Sequence, residues 1–70
     1  MKIFKVIREK DEVVVIIAKY KDTNKYSFVN LTKGHICKCI FNSIEEAISD
    51  LESYKSKGKI IAYEEIKSLI

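Results

Sequence analysis

The feature that most constrains this chain is a change of hydrophobic period at Asn42. Before Asn42, short apolar segments alternate with polar stretches of only a few residues. After Asn42, apolar residues recur at helical spacing. Connections this short favour antiparallel neighbours, because a parallel crossover needs a dozen or more residues. The sequence therefore predicts an antiparallel meander followed by a helix.

Four strands are predicted in the first part of the chain. They cover residues 2–8, 13–20, 26–31 and 36–41. The segment 13–20 is rich in β-branched residues, which strands favour. Asp22, Asn24 and Gly34 fall between the strands, where their residue types tolerate tight backbone conformations.

The helix is predicted from its caps and from its apolar face. Ser43 and Glu46 have the spacing of a capping box, and Gly58 is a natural C-terminal stop. The apolar side chains that share one helix face are Ile44, Ala47, Ile48, Leu51 and Tyr54. After Gly58, residues 59–63 suggest a strand and residues 63–70 a helical turn. We therefore expect one α+β domain over 1–70, with a four-stranded antiparallel meander, one amphipathic helix on one face, and a short C-terminal strand or helix.

Composition excludes several classes of protein. Seventy residues make one domain, and 47% hydrophobic with 33% charged residues is typical of a globular fold. Two cysteines cannot make a disulfide scaffold. Charges interrupt the N-terminal segment, and no stretch reaches the ~20 apolar residues of a membrane span. A cytoplasmic location without membrane contact is the expectation.

The stretch KGHICKCIF at 33–41 suggests metal or thiol chemistry, because it holds the only histidine and both cysteines. On a straight strand, alternate residues stand about 6.6–6.8 Å apart, so His35, Cys37 and Cys39 cannot converge on one tetrahedral zinc. A Cys37–Cys39 disulfide would require the strand to buckle. We therefore expect structural cysteines that pack beneath the helix, with no metal and no cofactor.

Other catalytic patterns are weak. Glu45 and Glu46, like Glu64 and Glu65, are sequence neighbours and do not face each other on a helix. The sequence contains no phosphate-binding loop or zinc-protease motif. The expectation is a protein that is not an enzyme and has no catalytic residues.

A repeated pattern predicts an interaction surface. Residues 3–7 and 36–40 both read I-x-K-x-I, and 13–17 is apolar on both faces. A strand that is apolar on both faces is normally covered on both sides, whereas one helix covers only one. The second cover is the C-terminal isoleucines (Ile60, Ile61, Ile66 and Ile70), a second copy, or a protein partner. The predicted interface residues are Ile3, Lys5, Ile7, Ile36, Lys38 and Ile40.

The alternative function is nucleic-acid binding by the basic half of the chain. Residues 1–41 carry nine Lys/Arg and four Asp/Glu, which gives +5, and the remainder carries four and six, which gives −2. Phosphate pairing and base stacking would use Lys5, Tyr26, Phe28 and Lys38. A single arginine weighs against specific base readout.

The stretch FNSIEEAISDL at 41–51 resembles a strand-to-helix junction found in two families. Phe41, Ser43, Glu46 and Ala47 carry the likeness, within residues 26–51. It is similar to HicB-type antitoxins, which implies toxin neutralisation by protein contact. It also resembles the arm-binding domain of tyrosine integrases, which implies DNA contact through an open sheet face. The lysine-rich form resembles small accessory proteins of Gram-positive phages and mobile elements, some of which are inhibitors.

Overall fold

In the computed structural model, which describes residues 2–67, the chain forms an antiparallel sheet with one helix. The elements are β1 (Lys2–Ile7), β2 (Glu12–Lys19), β3 (Tyr26–Asn30), β4 (His35–Ile36), α1 (Ile44–Ser56) and β5 (Ala62–Glu65). The strand order is β4-β3-β2-β1-β5. The predicted α+β meander is confirmed, and the C-terminal segment adds a strand beside β1.

Polar turns fix the meander. Between β1 and β2, the Arg8 amide donates to the Asp11 carbonyl at 2.8 Å, and the Arg8 guanidinium holds both carboxylate oxygens at 2.6 and 2.7 Å. Asp22 takes a positive φ of 59° between β2 and β3, and Gly34 takes one of 74° between β3 and β4. Two of the residues predicted to tolerate tight backbone are therefore in the left-handed region.

Both ends of α1 lie where the sequence predicts them. Ser43 Oγ accepts the Glu46 amide at 3.0 Å, which satisfies one free donor of the first turn. At the other end, Gly58 has a φ of 75°. The Lys59 amide donates to the Tyr54 carbonyl at 2.9 Å and the Gly58 amide to the Lys55 carbonyl at 3.1 Å. These two bonds form a Schellman motif.

The core lies between α1 and one face of the sheet. Its buried residues are Phe4, Val6, Val13, Val15, Ile17, Phe28, Phe41, Ala47, Leu51 and Ile60. Ala47 is 0% exposed, so its side chain lies fully within the contact between α1 and the rest of the core. Phe28 and Phe41 meet edge to face with ring centroids 5.0 Å apart. The helix face predicted from the sequence is the face that packs on this core.

The C-terminal segment forms a strand, which is one of the two predicted alternatives, but a few residues later than expected. The strand covers Ala62–Glu65 rather than residues 59–63, and residues 63–67 are not helical. Ile60 enters the core at 8% exposure, whereas the next residue, Ile61, is 58% exposed. The described part of this segment therefore extends the sheet and does not fold over its second face. Ile70 lies outside the described residues.

The fourth predicted strand is shorter than expected. Regular pairing of β4 with β3 ends at Ile36, and only an isolated bridge between Tyr26 and Phe41 resumes it. The prediction of a continuous strand over 36–41 is therefore wrong. Over residues 2–67, the chain has no helix with the length and apolar character needed to cross a membrane.

Candidate functional site

The sheet face turned away from α1, here called the open face, carries a continuous apolar row. Ile36 pairs with Val29, Val29 with Ile16, and Ile16 with Ile3, so each side chain stands beside the next across four strands. Ile66 extends the row, since its amide donates to the Ile3 carbonyl at 2.8 Å. Five strands at a spacing of about 4.8 Å make the row roughly 19 Å long.

A charged pair lies next to the apolar row on the open face. Lys5 pairs with Val14 on one side and with Glu64 on the other. The Lys5 ammonium is 3.8 Å from the Glu64 carboxylate. The pair balances its own charge, so the centre of the open face is apolar and close to neutral. A lysine stem can also lie along such a surface while its ammonium stays in water.

The structure brings together four of the six predicted interface residues. Ile3, Lys5 and Ile7 lie on the open face through β1, and Ile36 lies there through β4, 64% exposed. Lys38 and Ile40 are exposed but follow the end of β4. These two residues therefore do not continue the regular strand that holds Ile36.

Val14, Ile16 and Val29 also belong to the open face, although the prediction did not single them out. The signal was present in the sequence, since 13–17 is apolar at every position. The sequence does not show the pairing register of the strands, and that register determines which residues stand side by side in one row.

The four residues proposed for nucleic-acid contact do not share one surface. Phe28 is 8% exposed in the core beneath α1. Tyr26 lies on the same sheet face as Phe28, whereas Lys5 lies on the open face. Phe28 and Lys5 lie on opposite faces of the sheet, so one nucleic-acid strand could not stack on Phe28 and pair its phosphate with Lys5 at the same site.

A two-residue bulge holds both cysteines. The β3–β4 register, extended from Val29 opposite Ile36, would place Tyr26 opposite Cys39, but Tyr26 is bridged to Phe41. The chain therefore buckles between Ile36 and Phe41, as a local disulfide requires. The two cysteine sulfurs are in contact as a disulfide, with a Cα–Cα distance of 5.3 Å that lies within the usual range.

Hydrogen bonds fix the bulge against β3. The Cys37 amide donates to the Phe28 carbonyl at 2.9 Å, and the Cys37 carbonyl accepts the buried Ser27 hydroxyl at 2.9 Å. Ser27 Oγ also lies 3.8 Å from Cys39 Sγ. Inside the bulge, the Cys39 amide donates to Cys37 Sγ at 3.3 Å. The two sulfurs therefore have different polar neighbours.

A cavity of about 310 Å³ lies between α1 and the sheet, beside the bulge. Core side chains form most of its wall, and Cys37 and His35 line it together with Arg8, Asn30 and Tyr54. Its charged member, Arg8, is already bound to Asp11. Within the described part of the chain, no three ligating side chains come together as a metal site.

Surface ion pairs lower the pKa of two carboxylates. The hydrogen bonds from Arg8 hold the pKa of Asp11 below its ordinary value, and Lys33, 3.5 Å away, adds to the effect. A hydrogen bond from Lys2 likewise lowers the pKa of Glu65. On the helix side, desolvation and the hydrogen bond to Glu52 raise the pKa of the Tyr63 hydroxyl. The two carboxylates belong to ion pairs at a turn and at a strand edge, and the Tyr63 hydroxyl joins β5 to α1.

No protein-family model matches this chain, and no similar protein was found among curated proteins or among solved structures.

Proposed function

We propose that this protein is a non-enzymatic interaction module that binds another protein through the open face. The observation that carries the proposal is the apolar row from Ile36 to Ile3, which the described residues leave without a covering layer. Monomeric proteins rarely expose a large contiguous apolar patch, and such a patch usually marks an interaction site.

The occupant we favour is a second copy of this chain. The Lys5–Glu64 pair neutralises the charge beside the row, so the row itself offers no excess of either sign to a strongly charged partner. An apolar row without net charge can pack against its own copy around a two-fold axis, with the aliphatic side chains in contact. Interdigitation of isoleucine and valine side chains would then bury the row from water.

Sedimentation equilibrium over a series from micromolar to millimolar protein tests this proposal. We expect the wild-type chain to dimerise and Ile36→Glu to dissociate the dimer, because the variant places a charge at the end of the row. Ile61→Glu is the matched control: Ile61 is 58% exposed, close to the 64% of Ile36, but precedes β5 and stands outside the row. Both positions are exposed enough for glutamate to leave the fold intact.

Two outcomes would contradict the proposal. A wild-type chain that stays monomeric through the series would exclude the second copy as occupant. Equal dissociation by Ile36→Glu and Ile61→Glu would show that charge anywhere on the surface, rather than the row, controls association. Ile40→Glu, tested in the same series, determines whether the bulge belongs to the interface.

A further inference from the structure

We propose that Cys37 and Cys39 form a thiol–disulfide exchange site that reacts reversibly with a low-molecular-weight monothiol and its disulfide, as in the glutathione couple. The proposal rests on the bulge and is independent of what the open face binds. The bulge lies at an edge of the sheet, where both cysteines are half-buried rather than enclosed.

The bulge brings the two cysteines to bonding distance. A regular strand would hold alternate residues about 6.6–6.8 Å apart, near the upper limit for a disulfide. The two extra residues shorten the Cα–Cα distance to 5.3 Å. Because the sequence separation is only two, forming or breaking the bond need not move any other strand. The pair can therefore change oxidation state inside an otherwise constant fold.

The polar neighbours give the two sulfurs different roles. The Cys39 amide, 3.3 Å from Cys37 Sγ, stabilises negative charge on Cys37. Ser27 Oγ donates its proton to the Cys37 carbonyl, so its free lone pair faces Cys39 Sγ and can accept a thiol proton. In the reduced pair, Cys37 is thus the better thiolate and Cys39 the protonated thiol.

This asymmetry sets the direction of exchange. A thiolate RS⁻ attacks Cys39 Sγ, the Cys37–Cys39 bond breaks, and Cys37 leaves as a thiolate. A second RS⁻ attacks the R sulfur of the mixed disulfide, which forms RSSR and releases Cys39 as a thiolate that takes a proton. The protein disulfide gains two electrons and, once both sulfurs are protonated, two protons, while two RSH are oxidised to RSSR. Oxidation by RSSR runs the same steps in reverse.

The wild-type chain tests the exchange without any substitution. Folded protein is equilibrated in buffers that range from reduced to oxidised glutathione, quenched with acid, alkylated and weighed by mass spectrometry. We expect one transition between a species with two alkyl groups and a species with none. Persistence of the dithiol in oxidised glutathione would overturn the proposal. So would a disulfide that resists excess reduced glutathione in the folded protein, or accumulation of glutathione adducts in place of the internal bond.

Single variants test the assigned roles. Cys39→Ser keeps the backbone amide that bonds to Cys37, and Cys37→Ser leaves Cys39 beside Ser27. We expect iodoacetamide at pH 7 to alkylate Cys37 in the first variant at least about threefold faster than Cys39 in the second, since a hydrogen bond to a charged acceptor favours the thiolate and only part of that gain is lost in nucleophilicity. The same variants in urea are the control, where the two rates should agree. Equal or reversed rates in the folded variants would contradict the assignment.

Discussion

At the scale of single residues, Ser43 determines where α1 begins. Its hydroxyl satisfies the Glu46 amide, and alanine would leave that donor without its protein partner. We expect Ser43→Ala to lower the free energy of unfolding by about 1 kcal/mol. Urea denaturation measures this change. Ser49→Ala, at an exposed position inside the same helix, is the control and should leave stability unchanged or slightly raised, since alanine is the better helix former.

The Arg8–Asp11 pair gives stability that depends on pH. The pKa of Asp11 is lower in the folded chain than in the unfolded one, so its contribution is present above the ordinary carboxyl range and is lost as pH falls through the folded value. We expect Arg8→Gln to lower the urea midpoint at neutral pH and to have a smaller effect well below about pH 4. Lys10→Gln removes an exposed cation from the same turn and keeps the pair. A deficit in Arg8→Gln that is constant with pH would contradict this account.

At the scale of secondary-structure elements, the sequence predicts well those features that depend on residues close together in the chain. The start and end of α1 follow from Ser43 and Gly58, and the meander follows from the short turns. The β3–β4 register shift could not be predicted, because it is set by a non-local match: Phe41 must reach the core beside Phe28, and the chain from Ile36 is longer than that path requires. Apolar residues on both faces of the predicted strands indicate the open face. Which of these residues stand side by side depends on the strand-pairing register, which the sequence does not show.

The segment before β5 offers a sharp test of this packing. Ile60 and Ile61 are neighbours of identical chemistry, yet one is 8% and the other 58% exposed. We expect Ile60→Ala to lower the free energy of unfolding by about 2–5 kcal/mol, because it leaves a cavity beneath α1. Ile61→Ala should change stability by less than about 0.5 kcal/mol. Comparable losses in both variants, measured by urea denaturation, would mean that the segment enters the core in another register.

At the scale of the whole molecule, the strand order predicts how stability is distributed. β2 is central and is paired along both sides, and β1 lies between β2 and β5. β4 is the short edge, with two residues, and the bulge that follows it is joined to β3 by a few hydrogen bonds. Local opening is easiest where few buried contacts must break. The β4 edge should therefore open without unfolding the rest of the domain.

Hydrogen exchange followed by NMR measures this difference amide by amide. We expect the bonded amides of β1 and β2 to exchange only through global unfolding, with free energies equal to that from urea denaturation. The amides of Cys37 and Phe41, which donate to β3 at 2.9 and 2.8 Å, should exchange through a smaller opening. Reduction of the Cys37–Cys39 bond should lower protection at these two amides and leave β1 and β2 unchanged, because the hydrogen bonds of the bulge join it to β3. Equal protection at the bulge and in β2 would instead show that the edge and the centre of the sheet unfold as one unit.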